Sequence, residues 1–448
     1  MNRPDTHMDD KLDCIIVGGG IAGLAAAMTL ARADARFLLI ERGEWSGAKN
    51  VSGGVLWGTD LNRLVPNYWE EEDTGFERFV NHRRLTFMDE GASFTLDFKS
   101  DHFNRTPYTG LTVLRSRFDA WLAGKVQEAI DQSTQAEASF LATDILVEEV
   151  LMEDGKAVGI RAGEETFHAD CVILAEGVNN LLTRQVGLQT EYVPADGLAV
   201  GVKEVIQFDQ KVLEDRFQLS ENSGLTNEFV GYASGGVEGG GFLYTNRDTV
   251  SVGLVLGMVD LRDKKLKPYD LLDQFKQHPA IVDQLRGGEV LEYNAKVVST
   301  GDMSIMPKEI YTDGLMVAGE AANLVLNAGR AIQGMDYAMR SGILAAEAAL
   351  EAKKAGDFSA AMLKNYRTAL ENSYVMQDMR SFQQAVKVLH SPEMFTAVPR
   401  MVCDFGREFF TVDNTPTRKA YKIFSDARKE HMSFWDLVKL GTRGARAM

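Results

Sequence analysis

The chain has 448 residues, 45% of them apolar and 25% charged, the balance of a soluble globular protein of two to three domains. Its net charge of −16 argues against a general nucleic-acid binder, although eight basic against three acidic side chains set residues 416–448 at +5 and the remaining body at −21. Cys14, Cys171 and Cys403 show no CxxC or iron–sulfur spacing, which excludes a disulfide scaffold and points to a reducing, cytoplasmic setting.

The leader MNRPDTHMDDK lacks the apolar stretch of a signal peptide, and no later run approaches the ~18 residues of a membrane span. Leu12–Val17 reads as a short buried strand, followed by glycines, a small-residue helix over Gly23–Ala33 and a second apolar run, Phe37–Ile40. That is β–α–β within about thirty residues, the unit of a parallel sheet. Residues 81–111 alternate like antiparallel strands, and Arg117–Glu128 returns to helical spacing. Strands follow over 140–175, ending in the buried run Cys171–Ala175. Residues 195–300, with the runs Gly241–Thr245 and Val250–Gly257, read as a separate, mostly antiparallel domain. Gly314–Ala318 is a last buried strand leading to a helix from about Met335 to Lys354; helical spacing continues from Tyr366 into the basic tail.

Three motifs carry the chemistry. Val17-Gly18-Gly19-Gly20-Ile21-Ala22-Gly23 is a GxGxxG between strand and helix: Gly18 for a tight turn, Gly20 for backbone approach to a pyrophosphate, Gly23 for close helix packing. Phosphates there meet the free N–H groups of a helix start, and Glu41, ending the next strand, is placed to accept from an adenosine ribose. This motif fits FAD and NAD alike. The second motif is the buried strand that exits through Glu176-Gly177, and the third is Gly314–Ala318 leading to Gly319-Glu320. Beyond it, the glycine-punctuated loop 327–335 opens a helix at Gly334-Met335, whose N–H groups suit the negative charge of a reduced flavin ring. An NAD enzyme has no use for a third element some 300 residues downstream. An extended FAD does.

GGGIAGLAAA, ADCVILAEGVNN and GEAANLVLNAGRAIQGMDYAMRSG together resemble the electron-transfer-flavoprotein:quinone oxidoreductase family, and its FixC-type members in particular. GAKNVSGGVLWG (47–58), TVLRSRFDAWLA (112–123), GFLYTNRDTVSVGLVLG (241–257) and the C-terminal FFTVDNTP and LGTRGARAM extend the resemblance over residues 12–448. It implies an α/β fold with a glutathione-reductase-type FAD-binding domain over 12–80, 112–185 and 297–352. A β-rich substrate or quinone domain would take 81–111 and 186–296, and a helical C-terminal region 353–448. Carried over by position, Gly18, Gly20 and Gly23 hold the pyrophosphate, Glu41 holds the adenosine ribose, Arg115 neutralises phosphate charge, and Ala22 and Arg42 belong to the same cofactor-binding set. The loop Lys49-Asn50-Val51-Ser52-Gly53-Gly54 runs along the flavin; Glu176, Gly177 and Gly319 adjoin the cofactor, Glu320 takes the ribityl contact, and Gly334 and Met335 meet the pyrimidine end. The family pattern has Asp where this chain has Glu320, and one extra methylene asks for a shifted backbone or a water.

The implied activity is FAD-dependent electron transfer from an electron-transfer flavoprotein to a quinone, within a multi-subunit complex. Since the chain lacks cluster-forming cysteines, the resemblance also implies a small ferredoxin-like iron–sulfur partner. The flavin does the redox chemistry, so no catalytic dyad and no metal are expected. The seven histidines show no ligand spacing; Trp57, Tyr244 and Asn246 are candidates for the flavin or quinone pocket. The tail's Lys422, Arg428, Lys429, Lys439, Arg443 and Arg446 with Phe434 and Trp435 suit an anionic membrane surface, an acidic ferredoxin or plain solvation. Two alternatives share the FAD motifs: a flavin monooxygenase or geranylgeranyl-type prenyl reductase, and an FAD relay subunit without turnover of its own.

Overall fold

The structure, a computed structural model, describes residues 11–50, 54–71, 73–189, 192–329 and 331–447. Ser52, Gly53 and Arg330 lie outside them.

Every side chain of Leu12–Val17 and of Phe37–Ile40 is buried, as in a strand covered on both faces. These two strands pair in parallel, Cys14 opposite Phe37, and extend through Glu165–Leu174 and Leu315–Val317 on one side and Phe140–Ala142 on the other. The helices Ile21–Arg32, Arg115–Gln132 and Met335–Ala355 pack together against this sheet. Alanines and glycines make the close approach possible: a Cβ on Gly342 would stand 2.0 Å from the carbonyl oxygen of Ala22 on the neighbouring helix. Glu149–Glu153 and Lys156–Ala162 form an antiparallel meander with the first half of Glu165–Leu174.

A second sheet of nine strands has its own core of Phe217, Leu272, Phe275 and Ile281, covered by the helices Gln210–Phe217, Pro268–Lys276 and Pro279–Leu285. Its central pairs are antiparallel, joining Leu198–Gln207, Thr249–Gly257, Gly239–Thr245 and Ser223–Gly231. One junction is parallel. Arg78–Met88 runs alongside Ser223–Gly231 while forming an antiparallel hairpin with Ser93–Lys99. The four-residue strands Gly54–Trp57 and Gly110–Val113 also join this sheet. Runs that short are equally apolar in either sheet, so their partner is not visible in their spacing.

Helical regularity begins at Ile21 and at Arg115, two residues earlier than the apolar spacing suggests in both cases, because a helix start needs no apolar side chain. From Ala360 onward the chain is helical, ending in Ala420–His431 and Phe434–Ala447. Among the described residues no helix is long and apolar enough to cross a membrane.

Candidate functional site

A cavity of about 750 Å³ runs from the carboxyl ends of the parallel strands, along the face of the nine-stranded sheet, to the helices around residue 390. The first motif forms its floor. Gly18 has φ +110° and a Cβ there would meet the Ala175 carbonyl oxygen at 2.3 Å, so both conformation and space demand glycine. A Cβ on Gly23 would stand 1.9 Å from the Gly18 carbonyl oxygen. Gly20 differs: its Cβ would meet nothing closer than the Arg115 guanidinium at 3.8 Å, and the space above it belongs to the cavity. Gly20 is therefore spare for the fold and useful only to something that fills the cavity. Ala22 lines the cavity as well, whereas Gly23 packs beneath it.

Glu41 closes this end. Its Oε2 accepts from the Gly19 amide at 2.8 Å and its Oε1 from the Gly43 amide at 2.6 Å. Each oxygen keeps a second lone pair. Arg42 and Lys49 line the same end and are exposed. The Ser46 hydroxyl is buried 2.7 Å from the position of a Gly19 Cβ, and among the described residues it has no hydrogen-bond partner.

Arg115 is held at the cavity wall by two bonds to Asp119, Nε to Oδ1 at 2.8 Å and Nη2 to Oδ2 at 2.7 Å. Burial opposes its charge, but Asp119 and then Glu320 more than compensate, keeping the guanidinium firmly cationic. Asp119 is fully buried one turn along the helix and also accepts from Asn50 Nδ2 at 2.7 Å, so one carboxylate fixes both the arginine and the 43–50 loop. Sequence reasoning passed over Asp119; the Arg-x-x-x-Asp spacing on one helix face was the available signal.

At the second motif Gly177 has φ +78° and lines the cavity. Glu176 is otherwise engaged: its carboxylate takes the amides of Leu182 and Thr183 and the Thr183 hydroxyl, capping Leu181–Gln185. That leaves Glu176 to meet a ligand through the wall it forms rather than as a free acceptor. At the third motif Gly319 has φ +68°, and its amide donates to the Ser341 hydroxyl at 2.9 Å. Glu320 reaches the cavity beside Arg115, with Oε1 3.4 Å from the Ser299 amide. Gly334 and Met335 line the cavity where the long helix begins, and the Met335 Cε lies 3.0 Å from a Cβ built on Gly54. Asp336, in the first turn of that helix, is pushed up to about 6 by burial, which the bond from Gln333 only partly offsets.

Two lysines escaped sequence reasoning because they sit in ordinary alternating strands. Lys296 lines the cavity near Arg115, and burial lowers its pKa. Lys203 is 2% exposed, its amine lacks a hydrogen-bond partner among the described residues, and burial brings it down to about 7.

Toward the far end the lining turns apolar. Leu85, Phe87, Val230 and Phe242 come from the sheet face, Met394 and Phe395 from the helical region. Tyr244 lines this part and stacks on Phe242 at 4.9 Å. Asn246 does not reach it: it is 1% exposed and bonds Thr249 and Ser251, holding its own hairpin. Trp57 is likewise away from the cavity, packed on Gly110 with Arg83 4.5 Å above its ring. His390 does line the cavity, paired with Glu238 at 3.0 Å, a position no histidine spacing could have suggested.

The three cysteines are buried. Cys14 and Cys171 face each other across the parallel sheet, and burial pushes the Cys14 thiol well up, as expected of inert core thiols.

The glycine cradle, the half-used Glu41, the fixed Arg115 and the length of the cavity fit an extended FAD, and comparison with known proteins agrees. Residues 13–192 match the FAD-dependent oxidoreductase family, 198–298 the ETF-QO ubiquinone-binding family, and 385–448 the C-terminal domain of the ETF-QO/FixC family. The protein FixC of Salmonella typhimurium is 42% identical over 443 residues, covering 98% of this chain and 100% of that protein. A probable electron transfer flavoprotein-quinone oxidoreductase of Escherichia coli, YdiS, is 38% identical at the same coverage. Among solved structures, a geranylgeranyl bacteriochlorophyll reductase-like protein from Thermoplasma acidophilum superposes with a TM-score of 0.70 over 96% of this chain and 98% of that one. At 22% identity that likeness speaks for the fold alone.

Proposed function

Because the chain belongs to the ETF-QO/FixC family of FAD-dependent oxidoreductases that act with quinone, we propose that it passes electrons from an electron-transfer flavoprotein through FAD to a quinone, as one subunit of a larger complex. The observation that carries this reading is the continuity of the cavity. One unbroken space joins the glycine cradle to an apolar end formed in part by residues 198–298. A dinucleotide and a quinone ring can therefore meet within it.

In this reading Gly18, Gly20 and Ala22 receive the pyrophosphate on backbone, with Gly23 keeping the helix tight beneath it. Glu41 holds the adenosine ribose with Arg42 alongside, and Arg115 offsets phosphate charge. Glu320 takes the ribityl hydroxyls from beside Arg115, which sets the position of its extra methylene. Gly334 and Met335 meet the ring, Gly54 packs against Met335 on the loop that also contains Lys49, Ser52 and Gly53, and Gly177 and Gly319 adjoin the cofactor. Glu176 supports the wall as a cap. When bound, FAD supplies the ability to take electrons singly and deliver them in pairs. The chain's own part is orientation, a wall of Arg115 and Lys296 that favours added negative charge, and an apolar far end.

Three buried cysteines in two separate places cannot hold an iron–sulfur cluster. Any such one-electron step would use a ferredoxin-like partner. The helices Ala420–His431 and Phe434–Ala447, with Tyr421 and Trp435 exposed, are the surface we assign to that partner or to a peripheral membrane contact. Part of the tail's charge is already spent: Asp426 pairs with both Arg418 and Lys429.

The test is reduction of the purified chain by an electron-transfer flavoprotein, followed by reoxidation with a short-chain ubiquinone or menaquinone. The expected result is FAD in 1:1 ratio to chain and quinone-dependent turnover. Turnover with reduced nicotinamide and oxygen, and none with quinone, would overturn it.

A further inference from the structure

Reducing a quinone takes two electrons and two protons, and an apolar end of the cavity needs a group placed to deliver a proton. Among the described residues six carboxylates line the cavity, and five are engaged. Glu41 holds the Gly19 and Gly43 amides, Glu148 pairs with Arg161 at 2.7 Å, and Glu176 caps a helix. Glu238 pairs with His390, and Glu320 sits beside Arg115. The sixth is Glu228.

Glu228 stands in the middle of Ser223–Gly231, opposite Phe242 on one neighbouring strand and Leu85 on the other. Alternation sends Glu228 and Val230 to the same face as those two residues, which is the apolar end of the cavity. Among the described residues no other side chain hydrogen-bonds its carboxylate. Burial raises its pKa to about 7, and the positive charge of Arg83 only partly opposes this. The charged and titratable groups facing it are Arg83 on the adjacent strand, Tyr244 across the hairpin, and, from the helical side of the same cavity, the His390–Glu238 pair. Arg83 is the nearest cation and is also engaged over Trp57. A carboxyl in such surroundings is substantially protonated at neutral pH and so able to donate.

Resting on the quinone reading above, we propose that Glu228 is the acid that protonates the quinone ring. FAD, when bound and reduced, would be the reductant and supply both electrons. The Glu228 O–H bond breaks, an O–H bond forms on a quinone carbonyl oxygen, and the carboxylate left behind takes a proton back from solvent before the next turnover. The second quinone oxygen takes its proton from water or from the flavin.

The experiment compares wild type with Glu228→Gln and Glu228→Asp, each reduced chemically so that no partner protein is needed. Each is then mixed with a short-chain ubiquinone or with ferricenium, an acceptor that takes electrons without protons. Glu228→Gln should slow quinone reduction about 10²-fold, the usual share of a positioned general acid, with ferricenium oxidation and FAD content unchanged. Glu228→Asp should recover part of the loss. The wild-type quinone rate should fall as pH rises through about 7, where the donor is lost, and that dependence should vanish in Glu228→Gln. Independently of turnover, infrared spectra of the oxidised holoenzyme from about pH 5.5 to about pH 8.5 should show a protonated-carboxyl component titrating near 7 in wild type that is missing in Glu228→Gln, while the lower-titrating Asp336 component stays. An unchanged quinone rate in Glu228→Gln, or an equal loss with ferricenium, would overturn the role of Glu228. A wild-type protein oxidised by ferricenium but by no quinone would instead remove the quinone reading itself.

Discussion

The two ends of the cavity are built on different principles. At the nucleotide end the chain uses backbone: Gly18 and Gly23 touch neighbouring carbonyls, and the space above Gly20 is left for a ligand. At the apolar end it uses side chains that converge from distant stretches, Leu85 and Phe87, Glu228, Phe242 and Met394. A backbone site tolerates almost no change of shape. A side-chain site spreads its contribution over many residues, and each can be altered with graded effect.

Four substitutions sharpen that contrast, the most damaging first. Gly23→Val should fail to fold or be strongly destabilised, because its Cβ collides with the Gly18 carbonyl in the tight turn after the first strand. Gly20→Val should leave the fold intact by circular dichroism and thermal melting, yet purify with little or no FAD, since its side chain fills only the cavity. If the two behave alike, the division between fold glycine and ligand glycine fails.

Glu41→Ala comes next. It leaves the Gly19 and Gly43 amides without their acceptor as well as removing the ribose contact. Charge-assisted bonds of about 1.5–3 kcal/mol translate to roughly 10- to 100-fold weaker FAD binding, measurable by fluorescence titration of reconstituted protein. An unaltered affinity would detach Glu41 from the nucleotide.

At the opposite end Phe242→Ala should have the smallest effect. It should leave FAD content as it is and raise the KM for quinone by about tenfold, the ~1.4 kcal/mol expected from partial loss of one aromatic contact. Loss of FAD in Phe242→Ala would mean that the two ends are not separable.

The same contrast explains what was legible in the residues. The glycine motif, the strands Leu12–Val17 and Phe37–Ile40 and the start of the helix at Met335 were visible because each depends on local requirements: a positive φ, a fully apolar run, a helix start. Resemblance to the ETF-QO/FixC family added Arg115 and the 49–54 loop. Asp119, Lys203, Glu228 and His390 were not picked out. Each is an unremarked polar residue in an ordinary helix or strand, and its importance lies in what stands opposite. Tyr244 and Asn246 show the limit well: two residues apart on adjoining positions of one hairpin, one faces the cavity and the other closes a turn.

By itself, then, the sequence determined the parallel sheet with its dinucleotide cradle, the cofactor and the family, because these rest on short-range backbone geometry and on ordered motifs along the chain. Tertiary structure alone decided that strands within 54–57, 78–88, 110–113 and 198–299 share one sheet, that its face closes the cavity, and that Glu228 stands in the apolar end with, among the described residues, no other side chain hydrogen-bonded to its carboxylate. The reason is physical: strand partners and the pKa of a buried acid depend on groups brought together over more than a hundred residues, and no local pattern records that meeting.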